Sequence, residues 1–432
     1  MRIVQITPGS GDNFYCENCL RDQGLLRALR ALGHDVVMAP LYLPPGLTET
    51  GAADAGPIFF GGINVYLQQK WGWFRRTPRW VDKVFDSRRL LRWAARLSGM
   101  TNAHELGATM LSMLAGEQGR QAKELERLVD WLTQERPDVV VLSNALLLGL
   151  ARRIRERLGA AVVCLLQDED EFIDGLIEPY RSEAWRLLQE RAVEVDAFVA
   201  VSRYYGGVMR KRLGLPQEKV EVVYPGLATE RYGLAQRPAR PTVGFLSRWY
   251  AGKGLDRLVE AFVLLKQREG MGQVRLRIAG GHNAEDQGFV EGLRGQLRGA
   301  GVSEDVEFID GFEWEMRHDF LRSLSVLSVP ARRGEAWGMY AVEAWACGVP
   351  VVEPRVGVFE ELVELTGGGV LVAADASAGE LADALEALLR EPEAAEAMGR
   401  RARQRVSERL DVKQSAVQLV QVYHKLAQVR QR

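Results

Sequence analysis

The sequence predicts an α/β protein built from two doubly wound, Rossmann-like domains that face each other across a cleft. Twelve short apolar, β-branched runs alternate with segments of helical period, six before and six after one break in the pattern. The break is PGLATERYGLAQRPARP, residues 225–241, which carries Pro and Gly and no periodicity. A length of 432 residues exceeds what one ordinary core fills, so two domains of roughly 200 residues each are the natural division.

In the first half the strand candidates are Arg2–Ile6, Asp35–Ala39, Asp138–Leu142, Ala161–Leu166, Asp196–Ser202 and Val220–Tyr224. Amphipathic stretches such as LRDQGLLRALRAL and RSEAWRLLQERAVEV fill the gaps, as βαβ winding requires. The second series is Thr242–Leu246, Val274–Ala279, Val306–Ile309, Val326–Val329, Val349–Glu353 and Val370–Val372. Helical material from Ala378 to about Ala427 closes the chain. The expected domains are 1–228 and 229–410, with a terminal helix over 411–432 packing back on the first. A helical insertion over about 67–130 interrupts the first domain between its second and third strands. Its opening part, Leu67–Met100, holds four of the ten tryptophans and nine Lys or Arg against two Asp, a local charge of +7.

An apolar content of 47% with 26% charged residues is that of a soluble globular protein. The formal net charge of −1 gives no general attraction to nucleic acid. The start, MRIVQITPG, is too short and too β-branched for a signal peptide. The most apolar stretch, VVVLSNALLLGLA, is broken by Ser143 and Asn144 and falls short of the ~20 residues of a membrane span. A cytoplasmic location is the simplest fit. Cys16 and Cys19 form a C-x-x-C pair, but no second pair or histidine at ligand spacing accompanies them, so they read as packing or as lining near the PGSGD loop.

Two constellations carry chemistry. In RRGEAWGMYAVEAWACGVPVVEP, Glu335 falls in a strand-to-helix loop and Glu343 lies one to two turns down the following helix. Gly338 lets a ligand approach the backbone, and the helix start favours an anion such as a diphosphate. Glu343 can then reach a ribose hydroxyl while Glu335 faces the sugar end of a nucleotide sugar. In GFLSRWYAGKGLDRLVEAF, Arg248 and Lys253 stand in the loop after the first strand of the second domain, with Gly252 and Gly254 freeing the backbone. Two cations so placed suit a pyrophosphate leaving group. Solvated surface carboxylates and an ordinary basic loop are the competing readings. A glycine-bearing loop, PGSGD, opens at the corresponding edge of the first domain.

Glu335-x7-Glu343 followed by AWACGVPVVEP resembles the signature of the retaining glycosyltransferases of family four, the glycogen synthase-like or group 1 enzymes, whose fold is GT-B. The likeness extends to MRIVQITPGSGD…LRALGHDVVMAPLY, to VEVVYPGLATERYG, to the Arg248/Lys253 loop and to LADALEALLREPEAAEAMG. It implies that Arg248 and Lys253 neutralise the donor diphosphate, that Glu343 binds the ribose and that Glu335 lies against the transferred sugar. It further implies that backbone amides around Gly338, Met339 and Tyr340 hold sugar hydroxyls or phosphate, and that Gly11 closes over the donor. Two positions depart from the pattern. Ala336 replaces the usual glycine, and LLQDEDEF puts Gln167 and Asp168 where many members carry histidine and aspartate on the sugar and acceptor side. The Gln167 amide can donate a hydrogen bond to a sugar hydroxyl but does not titrate, so it cannot act as acid or base.

The implied reaction is a hexosyl transfer from a nucleoside diphosphate sugar to an acceptor hydroxyl, with retention at the anomeric carbon and neither metal nor other cofactor. The acceptor class stays open among saccharides, small molecules and lipid-linked sugars. Alternatives are a sugar-nucleotide epimerase or a phosphorylase on the same fold, and a nucleotide-sugar-binding protein without turnover. A two-carboxylate glycosidase fits less well, because a hydrolase has no diphosphate to neutralise. The Trp- and Arg-rich stretch reads either as a helical excursion with solvated arginines or as a peripheral contact with the inner face of a membrane. On the second reading, each basic residue near an anionic surface adds ~1 kcal/mol. Flotation should therefore carry the protein with anionic but not neutral vesicles, and salt or combined Trp71→Ala, Trp73→Ala and Trp80→Ala should weaken the effect. Protein left behind by anionic vesicles at low salt would turn the acceptor search to soluble sugars.

Overall fold

The computed structural model describes residues 1–8, 17–41, 103–310 and 316–431. Gly11, Cys16 and the stretch 67–100 lie outside these residues, and Cys19 falls in the helix Glu17–Ala31. The chain divides into two compact units, Met1–Tyr224 with Lys413–Arg432, and Pro225–Val412.

The first unit holds β1 (Arg2–Thr7), β2 (Asp35–Pro40), β3 (Val139–Leu142), β4 (Ala161–Leu166), β5 (Ala197–Ala200) and β6 (Val220–Val222). They form one parallel sheet in the order β2-β1-β3-β4-β5-β6. A parallel sheet is covered on both faces by its crossover helices. That is why VVVL of β3 and AVVCLL of β4 are apolar throughout, and both are buried along their whole length. The helix Ala122–Glu135 buries Leu125, Leu128, Val129 and Leu132, an i, i+3, i+4, i+7 stripe. From the terminal helix Val412–Gln431, Tyr423 is buried, and the Ser415 hydroxyl donates to the Tyr224 carbonyl at 2.7 Å.

The second unit holds β7 (Thr242–Arg248), β8 (Arg275–Gly281), β9 (Val306–Ile309), β10 (Val326–Leu327), β11 (Val351–Pro354) and β12 (Gly369–Val372). The order is β12-β11-β10-β7-β8-β9, again parallel. Each expected strand is present, so the doubly wound α/β reading holds in both units. In each sheet the winding reverses at the first strand. β1 lies between β2 and β3, and β7 lies between β8 and β10. Ligands of open α/β sheets bind at such reversals, beyond the carboxyl ends of the strands.

β10 stops two residues short of its expected end, and a side chain explains it. Ser328 still bonds backbone to backbone with Gly244 at 2.9 Å. The Val329 amide donates instead to the Glu353 carboxyl at 3.1 Å, while the Val352 carbonyl accepts from the Ser328 hydroxyl at 2.6 Å. The ladder between β10 and β11 is thus completed by side chains.

Around the helix Met339–Ala346 the core is closed by one large residue. Trp345 is fully buried, and its indole nitrogen donates to the Gly368 carbonyl at 2.8 Å. The helix Pro392–Arg409 comes so near that a Cβ on Gly399 would stand 1.8 Å from the Gly348 carbonyl oxygen. Packing this close cannot collapse around a void. Trp345→Ala should cost about 3–5 kcal/mol, read as a lower urea midpoint at unchanged slope. No helix among the described residues is long and apolar enough to cross a membrane.

Candidate functional site

β7 ends at Arg248, and the chain turns through Ala251–Lys253 into the helix Leu255–Lys266. Its neighbour β10 runs on through residues 328–338 into the helix Met339–Ala346. Because the two strands are parallel, both loops leave the sheet at the same edge and are joined there. The Arg332 amide donates to the Gly252 carbonyl at 2.9 Å, and the Arg332 guanidinium grips Asp256 at 2.8 and 2.6 Å. Gly254 has φ +71°, and a Cβ there would meet the Pro330 carbonyl oxygen at 1.9 Å. The glycine expected to open the loop to a ligand therefore also lets the two loops touch.

A third loop closes on the other side. The Val358 amide donates to the Glu335 carbonyl at 3.1 Å, and a Cβ on Gly357 would lie 2.5 Å from the Glu335 nitrogen. Held on both sides, Glu335 meets Lys253, whose ammonium lies 2.6 Å from one carboxylate oxygen. Their side chains are only 9% and 17% exposed. Partial burial of such a pair adds little net stability, because desolvation offsets most of the attraction.

The other expected cation goes elsewhere. Arg248 pairs with Asp286 at 2.7 Å, lies over the Tyr250 ring at 5.0 Å and is 45% exposed. Arg248 and Lys253 therefore do not converge on one carboxylate. An exposed pair like Arg248–Asp286 is worth at most ~1 kcal/mol and gives up its cation readily to a stronger anion.

Gly338 starts the helix with φ +73° and has no side chain to cap it. A Cβ there would strike the Phe359 ring at 2.9 Å. Met339 and Tyr340 follow, both buried. One turn on, Glu343 is 1% exposed and bound on both oxygens. Oε1 accepts from Arg317 Nε at 2.7 Å and from the Tyr232 hydroxyl at 2.9 Å. Oε2 accepts from Arg317 Nε at 2.8 Å and also from Arg317 Nη2. The carboxylate expected to face a ribose is thus the centre of a buried cluster. Burial, with the Glu343 charge beside it, raises the Tyr232 hydroxyl pKa and keeps it a donor. Burial also pushes the Cys347 thiol up to about 12.

Glu353, at the end of β11, is fully buried, and one of its oxygens has no partner among the described residues. Burial drives its pKa well up, Val329 and Lys253 oppose the rise, and Glu335 adds to it. Sequence reasoning quoted this residue only as part of a strand, although a glutamate inside VPVVEP was a visible signal. Arg317 and Tyr232 gave no such signal, since neither lies in a pattern that marks it.

In the first unit Gln167 follows β4 and is buried. Its amide nitrogen donates to the Ser143 carbonyl at 2.7 Å, and its backbone amide to Glu169 at 2.7 Å. Asp168 takes φ +54°, uncommon for a residue with a side chain. Glu169, unremarked in the sequence, is buried and accepts from the Ala145 amide at 2.8 Å and the Tyr205 hydroxyl at 2.8 Å. Burial raises its pKa against the pull of these donors.

Residues 23–231 match the profile of Glycosyltransferase Family 4, and residues 229–405 that of Glycosyl transferases group 1. The chain belongs to glycosyltransferase family four. The D-inositol 3-phosphate glycosyltransferase of Nocardia farcinica (strain IFM 10152) is 30% identical over 48% of this chain and 48% of its own. That of Gordonia bronchialis is 29% identical over 64% of this chain and 58% of its own. The lipopolysaccharide core biosynthesis mannosyltransferase LpsB of Rhizobium meliloti (strain 1021) is 30% identical over 51% and 59%. The match thus spans about half to three-fifths of these relatives' length. Among solved structures, sucrose-phosphate synthase from Thermosynechococcus elongatus superposes with a TM-score of 0.70 at 17% identity, covering 98% of both chains. Anabaena HepE in complex with UDP gives 0.69 at 16%, covering 99% of this chain and all of that one. At these identities the likeness is one of fold, and the fold of this family-four chain is GT-B.

The buried Glu353 gives a stability test. A folded state that keeps a proton the unfolded chain releases near 4.5 loses stability as pH rises from that value toward the folded one. Glu353→Gln cannot ionise and escapes this loss. Wild-type stability relative to the variant should fall with rising pH, by at most ~1.4 kcal/mol per unit. Superimposable pH profiles in urea unfolding would show the carboxyl ionised in the fold.

Proposed function

We propose that this protein is a retaining hexosyltransferase that moves a sugar from a nucleoside diphosphate sugar to an acceptor hydroxyl. The observation that carries the reading is the Lys253–Glu335 pair, 2.6 Å apart at the winding reversal of the second sheet and directly before an uncapped helix start. A cation and a carboxylate held at one strand edge suit a ligand that is anionic at one end and rich in hydroxyls at the other. Lys253 and Arg248 take the diphosphate, and amides around Gly338, Met339 and Tyr340 take phosphate or sugar oxygens. Glu335 lies against the transferred sugar and Glu343 takes the ribose. Gly11 belongs to the donor side of the same reading, and the Gln167–Asp168 corner to its sugar and acceptor side.

Charge develops on the departing diphosphate, so cations fixed in advance lower the barrier rather than merely tighten binding. The anomeric C–O bond breaks with its electron pair going to the phosphate. The acceptor oxygen bonds the anomeric carbon from the same face, and its proton passes to a phosphate oxygen. This needs no metal and no protein base. The names of the relatives support sugar transfer, and the UDP-glucose complex of Anabaena HepE supports a nucleotide-sugar donor.

A thermal-shift screen over UDP-, GDP- and ADP-sugars, followed by transfer of labelled sugar, tests the proposal. The right donor at a hundredfold excess over its Kd should stabilise by ~2.7 kcal/mol. Lys253→Ala should lower turnover by the equivalent of ~3–4 kcal/mol in the barrier. Arg248→Ala should do likewise, because in the wild type Arg248 exchanges its surface partner Asp286 for the diphosphate. Free epimerised sugar as product, sugar phosphate as product, or binding without turnover would favour an epimerase, a phosphorylase or a binding protein respectively.

A further inference from the structure

We propose that Tyr232 is a donor-site residue whose hydroxyl holds the place on Glu343 that a ribose hydroxyl takes, so that donor binding exchanges one for the other. The inference rests on the reading of Glu343 as the ribose carboxylate. A carboxylate offers about four lone-pair directions. Three donor hydrogens hold Glu343: the Arg317 Nε–H shared between the two oxygens, an Arg317 Nη2–H on Oε2 and the Tyr232 hydroxyl on Oε1. The side chain is only 1% exposed and so closed to an incoming ligand. A ribose hydroxyl can reach the carboxylate only where one of these donors withdraws.

Arg317 is the wrong donor to lose. It is 1% exposed and grips the carboxylate at two points, and its departure would leave two buried charges apart. Tyr232 supplies the one neutral contact. Its phenol is an O–H donor like a ribose hydroxyl, so the exchange leaves both the charge and the hydrogen-bond count at Glu343 unchanged.

The backbone allows the movement. Tyr232 follows the single turn Thr229–Arg231 and precedes Gly233, in a segment without helix or strand. Downstream the segment is fixed by the Ala235 amide on the Cys347 carbonyl at 2.7 Å. The Tyr232 ring meets His318 edge-on, with the ring centroids 4.6 Å apart.

Tyr232→Phe removes the competing hydroxyl and keeps the ring. Calorimetry with UDP, GDP and ADP, and with their 2′,3′-dideoxy counterparts, reads the outcome. The variant should bind the preferred ribonucleotide about three- to tenfold tighter than wild type, with no gain for the dideoxy form. Without nucleotide it should melt lower than wild type, and its rise in Tm on binding should be larger. Equal or weaker binding by the variant, or an equal gain for the dideoxy form, overturns the exchange. If wild type binds none of the three ribonucleotides, the donor reading falls and the inference falls with it.

Discussion

Parallel pairing of β7 with β10 brings together side chains 82 residues apart in the chain, because both strands release their loops at one edge. The Arg332–Gly252 and Arg332–Asp256 bonds fasten those loops, and Gly254 allows the contact with Pro330. Gly357 presses on Glu335 from the third side. The Lys253–Glu335 pair is the product of this arrangement and not its cause. Its geometry is set by backbone, so the two charges are positioned before any ligand arrives, which is the condition for electrostatic catalysis without reorganisation.

Burying carboxylates is costly, and the second unit meets that cost in three different ways within one strand edge. Glu335 faces an ammonium, Glu343 is enclosed by a guanidinium and a phenol, and Glu353 has its pKa pushed up by burial. The Glu335 charge nearby adds to the rise at Glu353. In the first unit Glu169 is handled in a fourth way, by backbone amides and the Tyr205 hydroxyl at the ends of β3 and β4. Buried polar groups satisfied like this hold loop ends in one conformation.

The family departures acquire a physical setting. Gln167 is tied down by the Ser143 carbonyl, so an amide there presents a fixed polar group rather than a titrating one. Ala336, in place of the usual glycine, is buried next to a Glu335 that is already clamped by the Val358 amide. A Cβ is tolerated there because the positive-φ positions fall instead at Gly338 and Gly357.

Much of the fold was legible in the sequence. Each of the twelve strands among the described residues overlaps a run that composition and period marked. Central strands such as β3 and β4, buried on both faces, are apolar along their length, while the edge strands β6 and β9 each carry a Glu. The Glu335 loop, the helix beginning after Gly338 and the cationic turn at Arg248–Lys253 were legible for a similar reason, since glycine and charge at a strand end are local signals. What the sequence could not state is which charge meets which. Lys253 faces Glu335, Arg248 turns to Asp286, and Glu343 lies under Arg317 and Tyr232. These pairings depend on strand order, on loops fastened across the sheet edge and on depth of burial, and all three are set only when distant segments pack. The same holds for the raised pKa of Glu353, a residue that local sequence would leave an ordinary carboxylate and whose pKa burial, with Glu335 nearby, pushes up.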